Sequence, residues 1–338
     1  MSNLLIDAIA QRPVPRRPLW LMRQAGRYLP EYRALRKENT FEELSDSAEL
    51  ACEVTLQPLR RFPLDAAIIF ADLMSPVAAL GIPVRFAPGP VVDEPITRRE
   101  QIDALPRPAR EEIAPQVAEA LSLVKPQLPE GCALVGFCGA PLSIAAYLVQ
   151  GSGKKNFPAL RALAHSDEVA FGRLLERLTE TCVDYLKAQV AAGADAVQIF
   201  DSWGGLFSLK DWHRLVKPHI ETLLQETASM GAPRIFYLQN GAHLLDSVLE
   251  LPADAFSVDW RVDMAGLRSR GVTASLQGNL DPAVLLAGPE ATYRATRELM
   301  ASIPRQGHLM NLGQGLTPQT PIESVQAMVR AVHEEANE

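Results

Sequence analysis

The stretch Ala196-Val197-Gln198-Ile199-Phe200-Asp201-Ser202-Trp203-Gly204-Gly205 decides the fold. A run of strand length passes directly into a polar, glycine-rich turn. Ahead of it, residues 169–192 carry apolar side chains at helical spacing. The same unit recurs along the chain. Short apolar runs at 19–24, 66–70, 133–137, 235–239, 255–260, 274–278 and 308–312 read as further strands. Amphipathic stretches at 41–61, 211–230 and 322–335 read as helices. Strand runs without clean polar alternation suit parallel strands covered on both faces. Eight such units predict an α/β fold: a single (β/α)8 TIM-type barrel occupying residues 1–338 as one domain. Between 74 and 128 the pattern breaks, with Pro83, Pro88, Pro90 and Pro95 close together. That interval reads as an insertion after the second strand, a small hairpin or loop followed by helices.

A barrel of this kind places its active site at the C-terminal ends of the strands. The turns there are Met22-Arg23-Gln24-Ala25-Gly26-Arg27, Asp72, Cys138-Gly139-Ala140-Pro141, Asp201 to Gly205, Gln239-Asn240-Gly241, Gln277-Gly278-Asn279 and Gly313-Gln314-Gly315. One polar turn alone is ordinary turn chemistry. Seven at equivalent positions point to a site, and the glycines let a ligand approach the backbone.

The composition of the 338 residues, 47% hydrophobic and 22% charged, is that of a globular protein. Basic residues number 33 against 40 acidic, for a net charge of −7. An acidic whole argues against a general binder of nucleic acid or anionic membrane. No apolar run reaches the ~18 residues of a membrane span, and the N-terminus lacks the pattern of a signal peptide. The four cysteines form no C-x-x-C and read as reduced thiols of a cytoplasmic protein.

The charge is unevenly spread. Arg12, Arg16, Arg17, Arg23, Arg27, Arg33, Arg36 and Lys37 lie in one segment whose single acidic residue is Glu31. A solvated basic face is the plain reading of Arg12, Arg16, Arg17, Arg33 and Arg36. Arg23 and Arg27 flank a turn after an apolar strand, where a carboxylate ligand suits their planar forks. Phosphate fits less well: Gly151-Ser152-Gly153-Lys154-Lys155 lacks the upstream glycine and final hydroxyl of a P-loop. Asp72 ends an apolar run, so its carboxylate is partly desolvated unless paired. Two readings stay open for it: an ion pair with Arg23 or Arg27, or binding of ligand N–H groups with stabilisation of a cation.

The run from Pro18 to Arg33, Pro-Leu-Trp-Leu-Met-Arg-Gln-Ala-Gly-Arg-Tyr-Leu-Pro-Glu-Tyr-Arg, resembles the signature of the uroporphyrinogen decarboxylase family. Ile68-Ile69-Phe70-Ala71-Asp72 resembles that family's aspartate segment. Gly136 to Pro141 with Ala146 to Gly151 resembles its second glycine-rich signature, and Gln198 to Gly205 and Leu276 to Pro282 also match. The resemblance implies a distorted (β/α)8 barrel and a homodimer, without cofactor or metal. It implies decarboxylation of the four acetate side chains of uroporphyrinogen III to methyl groups, giving coproporphyrinogen III. The family's substrate-binding segment falls on Arg23, Gln24, Ala25, Gly26 and Arg27, its aspartate on Asp72, its tyrosine on Tyr147 and its serine on Ser202. On their own residues alone, Tyr147 reads rather as a core tyrosine with a satisfied hydroxyl and Ser202 as a turn or helix cap before Trp203. The family's final segment usually reads Asn-Leu-Gly-His-Gly, and here it is Asn311-Leu312-Gly313-Gln314-Gly315. Gln314 can donate to a carboxylate but carries neither proton nor charge.

The implied chemistry suits these residues. Loss of CO₂ from an acetate on a pyrrole needs an electron sink, which protonation of the adjacent ring carbon supplies as a cation. Ionised Asp72 accepts hydrogen bonds only, which matches inward pyrrole N–H donors and a cationic ring. Arg23 and Arg27 then hold carboxylates, and Arg23 with water is the candidate for relaying the proton, although arginine is a poor acid. Two rival readings remain. A zinc- or corrinoid-linked methyltransferase barrel needs a Cys/His ligand set, and no H-x-C occurs. A non-catalytic tetrapyrrole binder is suggested by Gln314 and opposed by Asp72, Arg23, Arg27 and Tyr147.

Overall fold

A computed structural model describes residues 3–87, 89–153 and 156–337. Pro88 of the proline cluster and Lys154 and Lys155 of the glycine–lysine run lie outside the described residues. The strands in chain order are β1 (Ala66–Ile68), β2 (Arg85–Phe86), β3 (Pro90–Val91), β4 (Ala133–Gly139), β5 (Ala196–Asp201), β6 (Arg234–Leu238), β7 (Ala255–Val258), β8 (Ser275–Leu280) and β9 (His308–Leu312). Seven of them form one parallel sheet in the order β1-β4-β5-β6-β7-β8-β9. Their side chains are buried almost without exception, as strands covered on both faces require. The fold is the expected α/β barrel, with helices such as Pro141–Gln150, Glu168–Ala191 and Ile322–His333 packed outside.

The expected first strand, 19–24, is corrected. Only an isolated bridge forms there, Leu19 to Met310. The reason lies in its amides. Pro18 has no N–H, and the N–H groups of Leu19, Leu21 and Met22 donate to side chains of Asp65, Gln24 and Asn311. The segment still spans the two sheet edges, because Met310 N–H donates to Pro18 O and Asp65 N–H to Leu19 O.

Two helices are interrupted. The stretch read as 41–61 divides at Ser47, whose extended backbone and side chain cap the helix Ala48–Arg61. The stretch read as 211–230 passes through a π turn, Trp212–Val216, before Lys217–Glu226. Pro218, which lacks the N–H for an i→i−4 bond, stands just after that turn. The insertion is present as a 3₁₀ turn, the β2–β3 hairpin and short helices ending in Pro115–Val124.

Inside the barrel a polar chain crosses the core. Trp20 Nε1 donates to Gln277 Oε1, and Gln277 Nε2 donates to both Gln198 Oε1 and Ser257 Oγ. These groups are fully or almost fully buried and mutually satisfied, so they fix strand register without reaching a ligand.

A second polar layer closes the N-terminal end of the sheet. Asp65, Asp195 and Asp254 each stand one residue before a strand. Each accepts a backbone N–H from the neighbouring segment: Leu19, Leu134 and Arg234 respectively. Each also holds a cation, in Arg16, Lys125 and Arg234.

Candidate functional site

At the opposite, C-terminal end lies a cavity of about 480 Å³. Its polar lining includes Arg23, Arg27, Arg36, Asp72, Tyr147, Ser202, Gln239 and Gln314. Its apolar lining includes Met22, Ile68, Phe137, Phe200 and Tyr237, with Phe86 contributed by the inserted hairpin. The hairpin is anchored by Phe86 packing on Phe41 at 4.7 Å between ring centroids, and Phe41 in turn meets Phe70. A broad apolar basin rimmed by cations suits a large, multiply anionic ligand.

Asp72 is half-buried, four residues beyond the end of β1. Its N–H donates to Ser75 Oγ at 3.1 Å, and its Oδ1 accepts from Met74 N–H at 2.8 Å. This tight turn fixes the carboxylate and leaves Oδ2 without a protein donor among the described residues. Desolvation pushes its pKa up to about 6, against the Met74 N–H and the nearby Arg23 cation. The ion pair considered from the sequence is not formed.

Arg23 has a positive φ of 62°, unusual for a side chain with a Cβ. Such strain collects at functional sites, where the surroundings hold it. The aliphatic stem of Arg23 lies over Gly315, where a Cβ would come within 2.5 Å of Arg23 Cδ. Arg23 and Arg27 are exposed, and among the described residues neither has a hydrogen-bond or ion-pair partner for its guanidinium.

Tyr147 comes from the helix Pro141–Gln150 and meets Trp203 edge-on at 6.4 Å. Burial raises its pKa, as does the negative Asp72, while Trp203 and Arg23 act the other way. Ser202 follows the last residue of β5, and its N–H donates to Ser143 Oγ. Gln314 stands two residues past β9.

Ala25 and Gly26 line the cavity, but Gln24 does not. It is fully buried, accepting from Leu21 N–H and donating to Ala66 O, so its expected ligand contact is replaced by a role inside the turn. The solvated face expected of the other arginines holds for Arg12 and Arg33 but not for three others. Arg16 pairs bidentately with Asp65. Arg17 is buried, donating to His308, Met300 and Glu335. Arg36 is half-buried in the cavity wall. His308 is buried far from substituting for Gln314. It accepts from Arg17 at Nδ1 and donates from Nε2 to Gly278 O, a neutral tautomer consistent with a pKa pushed down to about 3 by burial. Arg36 and Tyr237 were not read from the sequence as site residues, and Gln239 was read only as part of a strand-end turn. Gln239 was signalled by its place at a strand end, whereas Arg36 sits on the helix Pro30–Glu38, where no strand-end rule applies.

Among the described residues no group of three or more His, Cys, Asp or Glu side chains is placed to hold a metal ion. No helix of the described chain is long and apolar enough to cross a membrane.

The family model described as "Uroporphyrinogen decarboxylase (URO-D)" matches residues 2–335. A protein of Coxiella burnetii named uroporphyrinogen decarboxylase is 41% identical over 340 residues, covering 98% of this chain and 94% of its own. One of the same name from Geobacter metallireducens is 38% identical, covering 98% of both chains. Among solved structures, a methyltransferase from Methanosarcina mazei superposes with a TM-score of 0.80 at 20% identity, over 99% of both chains. At that identity the likeness is one of fold.

Proposed function

Since the chain belongs to the uroporphyrinogen decarboxylase family, we propose that its cavity removes the four acetate carboxyl groups of uroporphyrinogen III as CO₂, giving coproporphyrinogen III. The observation that supports this most is that Asp72 and two arginines, unpaired among the described residues, face one basin. The substrate brings complementary groups: four pyrrole N–H donors at its centre and eight carboxylates at its periphery.

In this reading the N–H groups converge on Asp72, and Arg23, Arg27 and Arg36 receive carboxylates by charge-assisted hydrogen bonds. Tyr147, Ser202 and Gln314 add neutral donors. A proton added to the pyrrole carbon beside an acetate makes the ring cationic. The C–CO₂ bond then breaks, its electron pair flows into the ring, and CO₂ leaves a neutral methylene compound. A second proton on that methylene carbon, with loss of the proton first added to the ring carbon, gives the methyl group and restores the neutral pyrrole. The Asp72 charge lowers the energy of the cation, and the Phe137, Phe200 and Tyr237 wall keeps that charge weakly screened. In this proposal Arg23, with water, passes the proton. No cofactor or metal takes part, and the whole chain acts as one catalytic domain. A cytoplasmic homodimer is part of the same proposal.

Incubation of the purified protein with uroporphyrinogen III without oxygen, followed by product chromatography, tests the reading. Coproporphyrinogen III is expected, and recovery of bound but unchanged substrate would favour the non-catalytic binder.

A further inference from the structure

Beyond the groups facing the cavity lies a buried carboxylate that the chemistry above does not use. Asp201 ends β5 with no solvent exposure. Its Oδ1 accepts three hydrogen bonds: from Ser143 Oγ at 2.9 Å, Gly204 N–H at 2.8 Å and Trp203 N–H at 3.3 Å. Ser143 Oγ in turn accepts Ser202 N–H at 2.8 Å. The relay therefore runs from one buried carboxylate, through one buried hydroxyl, to the backbone of a cavity residue.

The geometry leaves little freedom. A Cβ at Gly204 would stand 2.4 Å from Asp201 Oδ2 and 2.7 Å from Leu238 Cδ1, so the turn closes on the carboxylate only with glycine there. Ser143 lies in the first turn of Pro141–Gln150, the helix that carries Tyr147 one turn later. Residues four apart share a helix face. Trp203, held by Asp201, packs against both Tyr147 and Phe157, the latter at 4.5 Å.

We infer that Asp201 and Ser143 are positioning residues, which lock the β5 turn to the helix Pro141–Gln150 and so set Ser202 and Tyr147 at a fixed separation for one substrate carboxylate. This rests on the decarboxylase reading of the cavity. Neither residue touches substrate. The relay acts through Ser202, so the effect of breaking it depends on whether the Ser202 hydroxyl is present. Ser202 and Tyr147 grip a carboxylate before and during reaction alike, so their misplacement shows in KM more than in kcat.

A double-mutant cycle separates this from mere packing. Ser143→Ala is expected to raise KM for uroporphyrinogen III about tenfold, the scale of one hydrogen bond, with kcat within about twofold. In a Ser202→Ala background the same change should raise KM less than about twofold. Asp201→Asn, which keeps the shape but weakens the acceptor, should show the same dependence on Ser202. A structural role alone would lower Tm and leave KM in place, or give equal factors in both backgrounds, and either result overturns the inference. If the wild-type protein itself fails to convert substrate, the decarboxylase reading falls first. Conversion by the wild type with multiplying factors removes the positioning role alone.

Discussion

The two ends of the barrel treat charge in opposite ways. At the N-terminal end Asp65, Asp195 and Asp254 each satisfy a neighbouring backbone N–H and hold a cation. Arg17 is buried among Glu335, His308 and backbone carbonyls. At the C-terminal end Asp72 keeps one oxygen without a donor, and Arg23 and Arg27 stand unpartnered among the described residues. The first arrangement lowers the energy of the fold. The second leaves charges ready for a ligand that completes them, and it includes a carboxylate whose burial disfavours its ionised form. Arginines a few residues apart in sequence thus serve opposite purposes because of where the strand ends leave them.

The contrast can be attacked from the paired end, where the largest stability change is expected. Glu335→Ala leaves the Arg17 guanidinium buried and unbalanced. A loss of about 3–5 kcal/mol is expected, visible as a lower midpoint in urea unfolding. A change under about 1 kcal/mol would mean that this end is not held by its ion pairs. At the open end the order reverses. Arg23→Ala removes an unpaired guanidinium but keeps the Cβ that makes a positive φ costly, so Tm should change little, while KM rises about 30-fold for the loss of about 2 kcal/mol of charge-assisted binding. A fall in Tm with unchanged KM would move Arg23 to the structural class. The smallest effect is expected at Gln314. Gln314→His adds a group that is cationic below about pH 6.5, and should lower KM a few-fold in acid with kcat nearly constant. A large rise in kcat would instead assign position 314 a chemical role that glutamine does not perform.

Much of this was legible in the chain itself. Strand runs such as 133–137 and 308–312 were clear because burial on both faces leaves no alternation to confuse, and β4 and β9 appear there. Asp72 and Arg23 were legible because each is a charged residue directly after an apolar run. The segment 19–24 misled for a physical reason: it is as apolar as a strand, but its amides are taken by Asp65, Gln24 and Asn311, contacts far apart in sequence or set by a local turn. The fates of Arg16, Arg17 and Arg36 depended on partners such as Glu335, 318 positions from Arg17, or on the helix face turned toward the cavity. Gln24 and Gln277 looked like site residues because the polar side chains of a barrel interior and of its rim share the same composition.

The central claim is that Asp72 is kept ionised at a cost to the fold because the reaction needs its charge. The sign follows from its raised pKa: near pH 7 the folded protein holds a carboxylate that burial disfavours, and this penalty disappears as pH falls through about 6 toward the unfolded value. The direct measurement is Asp72→Asn, followed in both turnover and thermal unfolding at pH 7. Turnover of uroporphyrinogen III should fall about 100-fold or more, while Tm stays level or rises, stabilisation of about 1 kcal/mol being expected for a partly exposed group. The acid limb of the wild-type pH–rate profile should lie near pH 6. Near-normal turnover by a folded Asp72→Asn protein would contradict the account.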